Sequence, residues 1–191
     1  MRSLAVACLS LVTCLQAPSD AQEWGDNLCY STVTQDLLRC ASARLSRADI
    51  QLNAIYKEKI ASAREKKEAL HDVQLSWISF RDDYCNEVYE ESKGGNEADI
   101  DKMFCLASLT EDRVAELARI GQSNGTATLS KALHSLERAG YNRQEVLNRL
   151  ASSPESNKWR QYADRNCAFL EKASGDARIE CLARMSLDRS Y

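Results

Sequence analysis

The nine residues WISFRDDYC at Trp77–Cys85 return in altered form as WRQYADRNC at Trp159–Cys167. The nine residues CLASLTEDR at Cys105–Arg113 return likewise as CLARMSLDR at Cys181–Arg189. The offset is 82 residues for the first block and 76 for the second, so the later copy is six residues shorter between its two cysteines. This spacing predicts that a helical hairpin closed by its own cystine is duplicated in the chain.

The composition favours helices along the whole chain. Of 191 residues, 44% are hydrophobic, whereas only two are proline and seven are glycine, so few positions interrupt a long regular element. Alternating patterns typical of strands are nearly absent. We therefore predict an all-α protein, a disulfide-closed antiparallel helical bundle with a partial internal repeat.

The N-terminal segment has the pattern of an export signal. Arg2 supplies a positive start, the apolar run Leu4–Leu15 follows, and the small residues of Ser19–Ala21 precede an expected cleavage point. We expect a periplasmic or secreted bacterial protein without a transmembrane segment in its mature form. A lipoprotein is the alternative, because Leu11–Cys14 resembles a lipoprotein signal box in which Cys14 is acylated.

Six cysteines remain after the signal, namely Cys29, Cys40, Cys85, Cys105, Cys167 and Cys181. None forms a Cys-x-x-Cys pair, and His71 and His134 lie far from all of them in sequence, so neither a zinc site nor a redox site has its usual spacing. Disulfides in an exported protein are the better interpretation. The repeat assigns one pair to each copy, which predicts the disulfides Cys85–Cys105, Cys167–Cys181 and, with the remaining two cysteines, Cys29–Cys40.

Cap residues and apolar spacing predict the helices. Thr32 is expected to cap a helix from Val33, and Asp49 to cap the next one. The later predicted helices lie over residues 68–91, from Asn96 to Gly121, and over 129–139, 143–151, 157–173 and 176–190, with a break at residues 62–67 after the second helix. We predict a signal peptide at 1–21, a helical domain at 22–121, a linker at 122–128 and a second helical module at 129–191.

Several of these residues form an ordered set of motifs. The motifs are Cys29-x10-Cys40, Asp49-x2-Leu52-Asn53-x2-Tyr56, Gln74-x2-Trp77-x3-Arg81-x3-Cys85, Gly94-Gly95 and Cys105-x7-Arg113. Their order over about residues 29–120 resembles the lysozyme inhibitor LprI family of exported bacterial proteins. The resemblance implies an all-helical, disulfide-bonded envelope protein, and its namesake function is inhibition of c-type lysozyme.

The resemblance also assigns roles to the motif positions. We expect structural roles for Leu52, Asn53, Tyr56, Gln74, Trp77, Arg81, Gly94, Gly95 and Arg113. Trp77 and its counterpart Trp159 are expected in the core, and Arg81 is expected to pair with an acid or to cap a helix end. The second copy lacks Gly94-Gly95 and carries Ala163 where the first has Arg81. We therefore do not expect it to bind the same partner.

Acidic residues concentrate in the first copy between Asp82 and Asp101. Residues 1–120 carry a net charge of −6 and residues 121–191 a net charge of +3. Eight acids accompany the single base Lys93 in this segment: Asp82, Asp83, Glu87, Glu90, Glu91, Glu97, Asp99 and Asp101. We call this surface the acidic tip. It would attract a basic protein and accelerate encounter, unless it is a solvated face that only aids solubility.

No recognised catalytic motif accompanies these features. Neither histidine lies in a nucleophile motif, and acids on helices do not by themselves make a glycosidase pair. We therefore expect a non-enzymatic protein that binds another protein, most concretely a basic c-type lysozyme, with no cofactor, metal or nucleic-acid partner. The alternatives are a non-inhibitory adaptor of the envelope and an immunity protein against a secreted toxin.

Overall fold

The structure, a computed structural model, describes residues 28–121, 127–152 and 156–187. These ranges contain helices and no β-strand, which confirms the predicted all-α class. The helices are α1 (Thr34–Ser62), α2 (Lys67–Ser92), α3 (Ala98–Arg119), α4 (Ala127–Arg138), α5 (Arg143–Ala151), α6 (Asn157–Ser174) and α7 (Arg178–Leu187). The expected signal peptide, Cys14 and most of the expected linker lie outside the described residues.

The first helix differs from the sequence prediction at two positions. Asp49 does not begin a helix, because α1 continues through it and its carboxylate lies 3.8 Å from Arg81 on α2. Thr32 does not cap α1 either. The hydroxyl of Ser31 accepts a hydrogen bond from the amide of Val33 at 3.1 Å instead. At Asp49, a side-chain partner on a neighbouring helix thus replaces the backbone amide that the cap prediction assumed, whereas before α1 the local residue Ser31 accepts the hydrogen bond in place of Thr32.

The predicted break between the first two long helices is confirmed. α1 ends at Ser62, a 3-10 turn spans Arg64–Lys66, and α2 begins at Lys67. The expected cap at Asn96 is wrong by one residue, because the next helix begins at Ala98 and Glu97 holds its N-cap position without a side-chain cap bond. These two connections fold α1, α2 and α3 back on one another.

Helices from both halves of the chain share the main core. α3 packs against α1 and α2, α2 also packs against α6, and α6 packs against α7. Trp77 is 2% exposed and Trp159 is 3% exposed, as expected for core residues. The rings of Phe80 and Tyr162, which hold equivalent positions in the repeated stretch, stack at a centroid distance of 5.9 Å. The division of the chain into two domains remains a prediction.

Three disulfides join the cysteine pairs expected from the repeat. Cys29–Cys40 ties the segment before α1 to that helix, Cys85–Cys105 joins α2 to α3, and Cys167–Cys181 joins α6 to α7. The Cα atoms in these pairs are 5.3, 5.6 and 5.6 Å apart, within the range for cystines. Each hairpin therefore carries its own covalent link.

Replacing Trp77 by alanine should test the shared core. The substitution removes a large ring from a buried site, and we expect the free energy of unfolding to fall by about 3–5 kcal/mol in urea denaturation. Leu75→Ala is the matched control, because Leu75 lies on the same helix but is 51% exposed. Its effect should stay within about 0.5 kcal/mol. Equal effects of the two substitutions would contradict the assignment of Trp77 to the core.

Candidate functional site

The acidic tip forms the end of the hairpin made by α2 and α3. Seven of its eight acidic residues are exposed, and Asp101 is half-buried. Two of the carboxylates have close ion-pair partners: Glu90 lies 2.9 Å from Lys93, and Asp82 lies 2.9 Å from Arg81. The remaining six carboxylates have no ion-pair partner within 4.0 Å among the described residues, so a partner protein can reach them without breaking an ion pair.

Lys102 belongs to the same surface, although the sequence analysis did not include it. Its ammonium donates a hydrogen bond to Asn86 Oδ1 at 2.6 Å and lies 5.4 Å from the centre of the Tyr89 ring. With Lys93 and Lys102, the segment from Asp82 to Lys102 carries two bases against eight acids, a net charge of −6. The excess negative charge of the acidic tip therefore persists after its internal contacts are counted.

The turn at the acidic tip requires glycine at positions 94 and 95. Gly94 has a φ of +102°, a backbone conformation that side chains other than glycine rarely adopt. Gly95 donates its amide to Ser92 O at 3.0 Å, and a Cβ at Gly95 would lie 3.3 Å from that oxygen. The turn therefore brings the end of α2 directly to the start of α3, with the Cys85–Cys105 disulfide below it.

Arg113 occupies a different environment in the core. It is 1% exposed, and its Nε donates a hydrogen bond to Gln74 Oε1 at 3.0 Å. Its Nη1 donates to Glu116 Oε2 at 3.2 Å, to the Tyr162 hydroxyl oxygen at 3.3 Å and to Asn166 Oδ1 at 3.1 Å. The expectation of a structural role for Arg113 and Gln74 fits this geometry, since both residues bond inside the protein.

Glu116 is the acid at the centre of these contacts. It accepts hydrogen bonds from the Tyr162 hydroxyl and, at 2.7 Å, from Asn166 Nδ2, and its Oε1 lies 3.7 Å from Arg184 Nη2. We call the set Gln74, Arg113, Glu116, Tyr162, Asn166 and Arg184 the Arg113 cluster. It joins α2 and α3 to α6 and α7, and therefore connects the two halves of the chain.

Burial and neighbouring charges shift the pKa of Glu116, the acid of the Arg113 cluster, in opposite directions. Burial alone raises the pKa of Glu116, but the charges of Arg113 and Arg184 and the hydrogen bond from Tyr162 outweigh it, so the pKa lies below its ordinary value of 4.5. Burial, followed by the charge of Glu116, raises the pKa of Tyr162 well above its ordinary value. Glu116 is thus a buried anion and Tyr162 a neutral donor at neutral pH.

The other motif residues have separate positions. Leu52 is buried in the core, Asn53 is exposed, and the Tyr56 hydroxyl lies 3.2 Å from His71 Nδ1. Arg81 pairs with Asp82 and Asp49, and its guanidinium carbon lies 4.9 Å from the centre of the Trp77 ring. The motif thus supplies core, turn and ion-pair positions, and does not form a single catalytic group.

Sequence reasoning missed three members of the Arg113 cluster: Glu116, Asn166 and Arg184. The other three members carried a signal, since Gln74 and Arg113 belong to the family motifs and Tyr162 lies in the repeated stretch opposite Phe80. Within the described ranges, no group of three or more His, Cys, Asp or Glu residues could hold a metal ion. Among the same residues, no helix is long and apolar enough to cross a bilayer.

Comparison with known proteins identifies the family. The family model described as lysozyme inhibitor LprI matches residues 29–117. An uncharacterized protein of Rhizobium meliloti is 36% identical over 138 residues, which cover 64% of this chain and 98% of the relative. This chain belongs to the LprI family. No solved structure matches it.

The LprI match includes the acidic tip but only part of the Arg113 cluster. The acidic tip, Gln74, Arg113 and Glu116 lie inside the matched range, whereas Tyr162, Asn166 and Arg184 lie beyond its end at residue 117. The helices of the LprI region therefore receive polar partners that the family match itself does not include. Helix α6 covers the face of α2 that carries Trp77, whereas no described residue covers the acidic tip.

The pH dependence of stability should report on Glu116. Because its folded-state pKa lies below the ordinary value of 4.5, its contribution is fully present above that pH and is lost as the pH falls through the lower, folded-state pKa. Glu116→Gln should lower the free energy of unfolding by about 3–5 kcal/mol at pH 7 and flatten its acid-side slope.

Urea denaturation between pH 7 and pH 3 measures this difference. Glu68→Gln is the control, because Glu68 is exposed on α2 and has no ion-pair partner within 4.0 Å among the described residues. The control should keep the slope of the unmodified protein. An unchanged slope in Glu116→Gln would show that another group causes the acid-side loss.

Proposed function

We propose that this LprI protein is exported, binds another protein and inhibits c-type lysozyme through the acidic tip. The observation that carries the proposal is the exposed segment from Asp82 to Lys102, whose net charge is −6 and whose carboxylates are mostly unpaired. Membership in a family described as lysozyme inhibitors supports a protein partner of this kind. The three disulfides fit an oxidising compartment and support export.

The acidic tip is held in a fixed conformation, which suits a surface that blocks access of a polymer to an enzyme. A disulfide joins α2 to α3 near the tip, and a glycine turn closes it, so its carboxylates are held on a fixed hairpin. Little ordering would then be needed on binding, which lowers the entropic cost of association. In the proposed complex the acidic tip lies across the basic enzyme's cleft and blocks access of the polysaccharide.

The second hairpin provides an internal comparison. α6 and α7 are joined by residues 175–177 alone, and Gly175 ends α6 with a φ of +76°. The stretch of the second hairpin that corresponds to residues 82–101 is residues 164–177, and it contains three acids and two bases where the first hairpin has eight acids and one base. The proposal therefore assigns binding to the first hairpin and core packing to the second.

Neutralising part of the acidic tip tests the proposal. Replacing Glu90, Glu91, Glu97 and Asp99 by their amides removes four charges with little change in volume. Association with c-type lysozyme should slow by about tenfold at low ionic strength, because steering weakens with the local charge. The difference should shrink near 0.1 M salt, where the Debye length is about 10 Å. Surface plasmon resonance and a cell-wall turbidity assay measure association and inhibition.

A second quadruple variant separates local charge from net charge. Glu58, Glu65, Glu68 and Asp72 are exposed acids near the other end of α2, and their amides change the net charge equally. The last two lie about 30 Å from Glu90 by helix rise. This control should retain rapid association. Equal slowing in both variants would place the binding surface elsewhere, and no inhibition by the unmodified protein would favour the adaptor alternative.

A further inference from the structure

A groove runs between α2 and α6, near the end of α2 opposite the acidic tip. Its volume is about 480 Å³, which falls within the range for ligand-binding pockets. Val73 and Phe169 are buried and form its floor, and the small side chains of Ala69 and Ala168 leave the space between the two helices open. The groove is therefore large enough for a short segment of peptide.

Three bases line this groove, namely Lys66, Arg165 and Lys172. Lys66 Nζ donates a hydrogen bond to the backbone oxygen of Lys172 at 2.7 Å, and Arg165 Nη1 donates to Ser76 Oγ at 2.8 Å. Among the described residues, no carboxylate lies within 4.0 Å of any of the three side-chain charges. Their hydrogen-bond partners are neutral, so the three positive charges are available to an anionic ligand.

The bases lie at the two ends of the groove. Arg165 and Lys172 are seven residues apart on α6, which corresponds to about 10 Å of helix rise. Lys66 meets Lys172 across the groove, so two bases lie at one end and one base at the other. In the polyproline II conformation, side chains three residues apart share a face and are separated by about 9 Å. Two acidic residues at that spacing would each meet a base.

Asp72 lines the groove between these two ends. Its carboxylate has no ion-pair partner within 4.0 Å in the described part of the chain. A carboxylate accepts hydrogen bonds from the amide groups of a peptide, but it repels a continuous polyanion such as polyphosphate. The position of Asp72 therefore favours a peptide with spaced acidic residues over a polymer that is charged at every unit.

We propose that this groove binds an extended acidic segment of a partner protein, with two acidic residues three positions apart. One carboxylate pairs with Arg165, the other pairs with Lys66 and Lys172, and Asp72 accepts a backbone amide between them. The site is independent of the inhibition proposed for the acidic tip, because its bases attract a partner of the opposite charge.

Nuclear magnetic resonance titration of the full mature chain tests the site with a defined probe, the capped peptide Glu-Pro-Ala-Glu. Saturable shifts should occur in residues 66–76 and 165–172, with a Kd on the order of 1 mM for so small a ligand. The peptide Gln-Pro-Ala-Gln should bind about tenfold more weakly, because it lacks both charges. The peptide Glu-Glu-Pro-Ala has the same charge with adjacent acids, and it should also bind more weakly.

A triple variant tests the three bases. Replacing Lys66, Arg165 and Lys172 by glutamine should weaken binding of Glu-Pro-Ala-Glu by about tenfold or more, because each charge-assisted contact is lost. A control variant changes the net charge equally at exposed bases of α4 and α5, with glutamine in place of Lys131, Arg138 and Arg149. It should keep the affinity of the unmodified protein.

Ala69→Leu separates the groove from general attraction by charge. It leaves every charge in place but fills the space between α2 and α6, so it should weaken binding of Glu-Pro-Ala-Glu. If the triple variant does not fold, Ala69→Leu and the peptide controls still decide the proposal. Unchanged binding by Ala69→Leu, equal binding of Gln-Pro-Ala-Gln, equal weakening in the control variant, or tighter binding of tripolyphosphate would overturn it.

Discussion

The burial of the Arg113 guanidinium constrains the arrangement of the whole molecule. A buried charge needs an opposite charge and several hydrogen-bond acceptors, and removing one partner from such a pair costs about 3–5 kcal/mol. Here the acid comes from α3 and the neutral partners come from α2 and α6, with the second arginine on α7. The two halves must therefore pack in one register to satisfy this group. Stacking of Phe80 on Tyr162 adds an apolar contact to the same register.

The acidic tip lies away from the Arg113 cluster and takes no part in its contacts. Along α2, Gln74 and Glu90 are separated by 16 residues, or about 24 Å of helix rise, so changes at one end need not disturb the other. The disulfide and the glycine turn fix the acidic tip locally, and most of its carboxylates have no structural partner. The LprI region thus combines a face that packs inside the protein with an exposed acidic end.

The sequence was sufficient for the features that depend on local pattern. The break after Ser62, the core positions of Trp77 and Trp159, and a helix over Arg143–Ala151 followed from spacing and composition. Features that depend on tertiary partners were missed. The sequence around Asp49 is typical of a helix cap, and only the tertiary structure shows that Asp49 pairs with Arg81. The burial of Arg113 was missed for the same reason, because its partners in the second half of the chain are not adjacent to it in sequence.

The central claim is that recognition resides in the acidic tip while the Arg113 cluster only holds the two halves together. Hydrogen exchange of the full chain, with and without c-type lysozyme, tests this claim most directly. The account predicts slower exchange in peptides that cover residues 82–101 and no change in peptides from α6 and α7. Slower exchange at residues 58–72 or 157–187, with unchanged exchange at 82–101, would contradict it.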